Sequence, residues 1–224
     1  MLLMTSILQS LIDLDTSLFL TVNGVHGEYF DQFMYAYSGK LVWIPMYACI
    51  FYLMILNFTR RQLLFAAIGV GLVILFADQM CSHLIRPWVE RWRPGNPNSP
   101  ICDLVHIVNG YRGGRYGFPS CHAANTFALA TYVMLLFRHR WLTCFLMGWA
   151  IVTCYSRVYL GVHYPGDLLV GGLVGALGAV LVYWLLCRFA HYQRPATLRR
   201  GVWPVWTGLL TILGIFIYAV CITL

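Results

Sequence analysis

Six apolar stretches, each long enough to cross a hydrocarbon layer about 30 Å thick, constrain this chain more than any other feature. They occupy residues 41–58, 62–85, 120–137, 141–162, 167–187 and 202–224. Such spans specify an all-α polytopic membrane bundle of six transmembrane helices. Composition agrees, since 60% of residues are hydrophobic and 10% charged, against about 25% charged in soluble domains. Too little polar surface remains to cover a core in water, which excludes a disordered chain, a disulfide scaffold and an ordinary soluble enzyme. The first 38 residues differ from the rest. Ile7, Leu8, Leu11, Leu14 and Leu18 recur at helical spacing with Gln9, Ser10, Asp13 and Ser17 between them, which predicts an interfacial amphipathic helix. That segment lacks the basic start and small-residue cleavage site of a signal peptide. Without repeats or linkers, residues 1–224 read as one domain, with 1–38 as its interfacial segment and 86–119 as a long extracytoplasmic loop.

The charges sort the connections into two faces. Arg60 and Arg61, Arg138 and Arg140, and Arg188, Arg194, Arg199 and Arg200 occupy alternate connections that hold no acid, which by the positive-inside rule are cytoplasmic. The opposite face holds every acid outside the spans, yet it also carries Arg86, Arg91, Arg93, Arg112 and Arg115. A basic cluster on the side that normally avoids one calls for a bound anion. All but one of the 15 basic residues are Arg, Lys40 being the exception. Arg is the residue suited to planar, bidentate recognition of oxyanions. Cys49, Cys81, Cys144, Cys154, Cys187 and Cys221 fall in spans and read as small apolar fillers. Cys102 and Cys121 lie on the outer face and could pair, but connectivity cannot be read from sequence.

Because the spans alternate in direction, a set of polar residues lands at one end of the bundle. Arg86 ends the second span, Ser120 and His122 open the third, Ser156 and Arg157 lie late in the fourth, and His163 and Asp167 flank the turn into the fifth. Each has an ordinary explanation: a solvated histidine, an N-cap serine, a snorkelling arginine, an acid in a helix first turn. Together they require five coincidences at one depth. Ionisable groups beside spans are costly and mark function.

The chemistry of the set is coherent. Arg86, Arg93 and Arg157 supply forked cationic donors that match phosphate oxygens. The start of the third span offers the Cys121 and His122 amides and the Ser120 hydroxyl as an anion site. Asp167, four residues after His163, can fix one ring nitrogen and free the other to attack, while His122 protonates a leaving oxygen. These parts suit phosphoryl transfer by positioning and electrostatics. No metal or other cofactor is expected, since a two-metal phosphatase needs clustered carboxylates. Asp167 is accompanied nearby only by Glu90 and Asp103 of the loop, and Asp13-Leu14-Asp15 belongs to an N-terminal helix read as remote.

At this point the residues resemble a known family. Phe118-Pro119-Ser120-Cys121-His122, then Ser156-Arg157-x5-His163-x3-Asp167, are similar to the second and third signatures of the type 2 phosphatidic acid phosphatase superfamily. Its first signature, K-x6-R-P, is matched by Arg86-x6-Arg93-Pro94, with Arg91 at a position often basic in the family. Two departures stand out: Arg86 replaces the usual Lys, and Cys121 the usual Gly. The resemblance implies a membrane lipid-phosphate phosphatase. His163 is the implied nucleophile, Asp167 orients it, His122 is the acid and then the base, and Arg86, Arg93, Ser120, Cys121 and Arg157 hold the phosphate.

The implied substrates are lipid A, undecaprenyl diphosphate, phosphatidylglycerophosphate or phosphatidic acid, presented at the periplasmic face of a bacterial inner membrane. The loop over residues 94–118 is polar, aromatic and basic, which favours lipid A, although a solvated lid has the same composition. The expected partners are a membrane lipid and the bilayer, and not nucleic acid. The rival of another class is a non-enzymatic anion transporter lined by the same arginines. It gives no reason for His163 and Asp167 to sit four apart beside a second histidine. A haem protein would want facing histidines in apolar surroundings, not among arginines.

Overall fold

The computed structural model describes residues 2–193, 195 and 197–224; Arg194, counted above among the cytoplasmic charges, lies outside them. The described residues form nine α-helices and no strand beyond one isolated bridge between Trp92 and Tyr116. In chain order they are α1 (Leu2–Asn23), α2 (Glu28–Tyr37), α3 (Ile44–Asn57), α4 (Arg60–Gln79), α5 (Arg86–Val89), α6 (Cys121–Phe137), α7 (Arg140–Tyr159), α8 (Pro165–Phe189) and α9 (Trp203–Thr223).

Four of the expected spans are helices long and apolar enough to cross a membrane: Arg60–Val89, α7, α8 and α9. The other two are shorter. A 3-10 turn, Leu41–Trp43, leads into α3, and the pair reaches spanning length only when joined to α2 across a 67° bend. Helix α6 has 17 residues, about 25 Å at 1.5 Å per residue, and falls short of the hydrocarbon thickness. It is enclosed by α4, α7 and α8, so its length is set by protein neighbours rather than by lipid.

Small residues place α6 against α8. An added Cβ at Gly175 would lie 2.0 Å from the Ala124 carbonyl oxygen, and one at Gly171 2.4 Å from that of Ser120. With no hydrophobic drive between helices in lipid, such backbone contact is what lets dispersion hold the pair. The Ser120 amide completes the join by donating to the Asp167 carbonyl at 2.9 Å. The starts of α6 and α8, which carry His122 and Asp167, are thereby fixed to each other.

Three expectations are corrected. The long loop read as extracytoplasmic begins after Val89 and not at residue 86, because the helix of the second stretch continues through a π-helical turn, Met80–Ile85, into α5. Pro87 has no N–H to return to the preceding turn, and the wider turn absorbs that loss while re-aiming Arg86. The N-terminal 38 residues form two helices rather than one. The apolar stripe of α1 is exposed as expected, but its other side is not free. Phe19 is buried against Tyr164, Ala123, Val158 and Leu168, and Asp15 touches the loop and the start of α8. The N-terminal helix is therefore not remote from the site.

Candidate active site

His163 occupies the turn between α7 and α8, and Asp167 the first turn of α8, where Pro165 presets the helical backbone. Both are fully buried. Arg93 Nη1 donates to His163 Nε2 at 3.0 Å, so the ring hydrogen is on Nδ1, which faces Asp167 Oδ2 at 3.3 Å. Asp167 Oδ2 also accepts from the Tyr164 amide at 3.0 Å. One nitrogen is thus oriented and the other carries a lone pair, the arrangement expected from the four-residue spacing. Burial, and then the Arg93, Arg157 and Arg86 guanidiniums, hold the His163 imidazole neutral, well below the usual histidine range.

The three expected arginines surround this imidazole. Arg93 is 9% exposed and also donates to the Tyr116 and Val162 carbonyls at 3.1 and 3.2 Å. Burial and its cationic neighbours lower its pKa to about 10. Arg157, at 2% exposure, donates to the Ser38 and Tyr111 hydroxyls, and its Nε has no partner. Arg86 donates to the Pro119 carbonyl at 2.9 Å and touches Cys121 Sγ at 3.0 Å, its Nε likewise unpartnered. Among the described residues none of the three forms an ion pair with a carboxylate. Leaving a buried charge without its counterion costs about 3–5 kcal/mol, so a site with this surplus favours an anion.

Ser120 is wholly buried as the N-cap of α6, its hydroxyl accepting from the Ala123 amide. The Cys121 and His122 amides of the first turn, which have no intrahelical acceptor, remain as anion donors. The two positions that depart from the family signatures meet each other here. Cys121 Sγ contacts both Arg86 and Ser82 Oγ, so bulk gained at one position is met by reach gained at the other. All eight cysteines are free, Cys102 and Cys121 included.

His122 lies close enough to His163, Arg157, Arg93 and Lys40 to feel their charges, and it lines a cavity of about 550 Å³. The cavity descends between α3, α4, α6 and α7, past Ile50, Met54, Val70 and Leu129. Its walls are apolar, but Asn125 Oδ1 and the indole N–H of Trp149, both on lining residues, are buried without a partner.

The outer arginine cluster divides by task. Arg112 donates to the Gly95 carbonyl at 2.7 Å, and Arg115 stacks on Trp92 and Tyr116. These two shape the loop rather than the anion site. The Gly117 amide bonds the Arg91 carbonyl at 2.9 Å, which folds the loop back over the dyad. A Cβ at Gly117 would lie 2.8 Å from Asp167 Oδ2, so the contact needs glycine. Asp15, Ser38, Tyr111 and Lys40 join the neighbourhood without having been singled out for it, whereas Arg91 was already counted in the basic cluster. Of these four only Lys40, the one lysine, stood out in the sequence.

A sequence model of the PAP2 superfamily matches residues 66–189, from the middle of α4 to the end of α8. The chain belongs to the PAP2 superfamily. As a member it is a membrane phosphatase, with the helical bundle and signature residues described above. Among its relatives, the Lipid A 4'-phosphatase of Bacteroides thetaiotaomicron is 46% identical over 221 residues, 95% of this chain and 98% of the relative. The Lipid A 4'-phosphatase of Porphyromonas gingivalis is 33% identical over 176 residues, 79% and 74% of the two chains. The fold is shared with a crystal structure of a transmembrane PAP2 type phosphatidylglycerolphosphate phosphatase from Bacillus subtilis. That match has a TM-score of 0.61 at 20% identity, over 82% of this chain and 90% of the other.

Proposed function

We propose that this PAP2 phosphatase removes phosphate from lipid A at the outer end of its bundle, through a phosphohistidine formed on His163. The observation that carries the reading is the buried, unpaired Arg93 and Arg157 around an imidazole whose Nδ1–H is held by Asp167. An incoming phosphate takes the Arg93 donor now resting on His163 Nε2, and with it the Arg86 and Arg157 forks and the Cys121 and His122 amides. The freed Nε2 lone pair attacks phosphorus. The Nε2–P bond forms, the P–O bond to the sugar breaks, and His122 gives its proton to the departing oxygen. In the second step His122 takes a proton from water, the oxygen–phosphorus bond forms, the Nε2–P bond breaks, and inorganic phosphate leaves. The arginines carry the equatorial charge that a metal would otherwise neutralise. No metal or other cofactor enters the scheme.

Two relatives named as Lipid A 4'-phosphatases support the substrate, one of them matched over nearly its whole length. The cavity below His122 supports it too. An apolar channel with one unpartnered acceptor and one unpartnered donor suits acyl chains that carry amide, ester or hydroxyl groups near the phosphate. A polyprenyl chain, as in undecaprenyl diphosphate, offers them nothing. The Arg-rich connections support six crossings of a bacterial inner membrane with the site facing the periplasm.

Lipid A from cells expressing the protein is expected to carry one phosphate fewer by mass spectrometry than lipid A from cells without it. An unchanged phosphate count removes the substrate assignment. In detergent, His163→Ala is expected to abolish phosphate release, EDTA to leave it intact and orthovanadate to inhibit it. Strict Mg²⁺ dependence contradicts the metal-free scheme, and a transporter releases no phosphate in any arm.

A further inference from the structure

Asp167 has a second oxygen, and the mechanism above does not use it. Oδ1 accepts from Arg91 Nη1 at 3.2 Å, and the same nitrogen donates to Asp15 Oδ2 at 2.6 Å. Asp15 comes from α1, which lies outside residues 66–189 matched by the superfamily model. Its other oxygen, Oδ1, accepts from the Gly166 amide at 2.7 Å, at the unsatisfied N-terminus of α8. The Arg91 guanidinium carbon lies over the Tyr164 ring, 3.7 Å from its centroid. One carboxylate of the N-terminal helix thus holds both the cation that contacts Asp167 and the helix turn that carries it.

We propose that Asp15 is a positioning residue for the His163–Asp167 pair. It balances Arg91, so that Asp167 spends its charge on His163 instead of on the arginine. Without Asp15, the Arg91 guanidinium has Asp167 as its sole carboxylate partner and draws it from the imidazole. Without Arg91, Asp167 faces His163 with nothing competing, at the cost of two carboxylates left near each other. The inference rests on His163 being the nucleophile.

The other charged groups around His163 are common to every variant and do not reverse the comparison. They are Asp167 on α8, Arg93 in the loop, Arg157 on α7, Arg86 on α5 and His122 on α6. Burial and the three arginines keep the ring neutral in every variant, and a change in the charge behind Asp167 adds to that common background.

The two braces therefore act in opposite directions, which a merely structural role would not do. The experiment uses the full-length protein in detergent with lipid A as substrate, reading kcat, KM and the pH profile of phosphate release. Asp15→Asn keeps the bond to the Gly166 amide and removes the charge. It is expected to lower kcat about tenfold with KM nearly unchanged, and to move the acid limb about half a pH unit down. Arg91→Gln is expected to move the same limb up by a similar amount, and Asp15→Glu to recover most of the activity. Melting temperatures in detergent identify any variant that fails to fold, and the Asn and Glu variants provide the test if the Gln variant does so. Limbs that stay in place in both variants, or that move the same way, overturn the proposal. So does wild-type kcat in Asp15→Asn. His163→Ala runs alongside: retained turnover there removes the nucleophile assignment itself, a failure separate from that of the Asp15 brace.

Discussion

At the residue scale, the site is a set of donors aimed at a charge that the protein does not supply. Among the described residues Arg93 and Arg157 are buried without carboxylates, and His163 Nε2, the proposed nucleophile, is capped by a guanidinium that a phosphate can take over. Arg86 and Cys121 behave as one unit, because Arg86 Nη2 bonds both the Pro119 carbonyl and the Cys121 sulfur. Arg86→Lys alone loses the fork, and Cys121→Gly alone leaves a void beside it. The double variant is expected to be about fivefold or more above the product of the two single activities, a coupling of about 1 kcal/mol. Simple additivity in that double-mutant cycle contradicts the pairing. Lower in the cavity, Trp149→Phe removes the indole N–H together with part of a buried ring's bulk, a packing loss that both substrates feel. It is expected to reduce kcat/KM about fivefold more for lipid A than for farnesyl phosphate. An equal loss on both substrates removes the indole from substrate selection. The residues that spacing alone brought together (His163 with Asp167, Ser156 with Arg157, Ser120 with His122) were legible because each group sits within a few residues on one helix end. Asp15 and Tyr111 were not, because their partners lie far along the chain, and only the packing of α1 and the loop brings them in.

At the scale of elements, α6 and α8 carry the site, and their contact is backbone against backbone. Gly175→Val places a side chain where the Ala124 carbonyl stands, and the helices must part. Overpacking of this kind costs about 1–3 kcal/mol, enough to lower the melting temperature in detergent and to separate His122 from His163. Gly71→Val, at a position on α4 where an added Cβ meets nothing within 4 Å, is the control and is expected to leave both stability and turnover intact. A stable Gly175→Val protein contradicts the account of that interface. Apolar run length identified the long helices α4, α7, α8 and α9 well. It placed α3 and α6 to within a residue or two, but neither reaches spanning length alone, and hydropathy encodes neither the bend before α3 nor the burial of α6. The amphipathic reading of α1 described its exposed apolar face, with Ile7, Leu8, Leu11, Leu14 and Leu18. It missed the opposite face, since one acid per few turns looks like ordinary amphipathic patterning until a partner is placed beside it.

At the scale of the whole molecule, the low charge count has a simple meaning. The spans consume most of the chain, so almost every remaining charge is a topology marker or belongs to the site and its supports. The net charge of +7 reflects alternate connections rich in arginine and free of acids, with a separate arginine cluster in the loop and helix ends that form the site. Part of that cluster faces the imidazole, part braces Asp167 through Asp15, and part shapes the loop. The central claim is that His163 takes the phosphoryl group, and trapping the intermediate tests it most directly. The purified protein is mixed with lipid A labelled in its phosphates, quenched within a turnover, digested and mapped by mass spectrometry. The account predicts acid-labile label on the peptide holding His163, present in His122→Ala and absent in His163→Ala. Label on another residue, or turnover in His163→Ala without any covalent label, contradicts it.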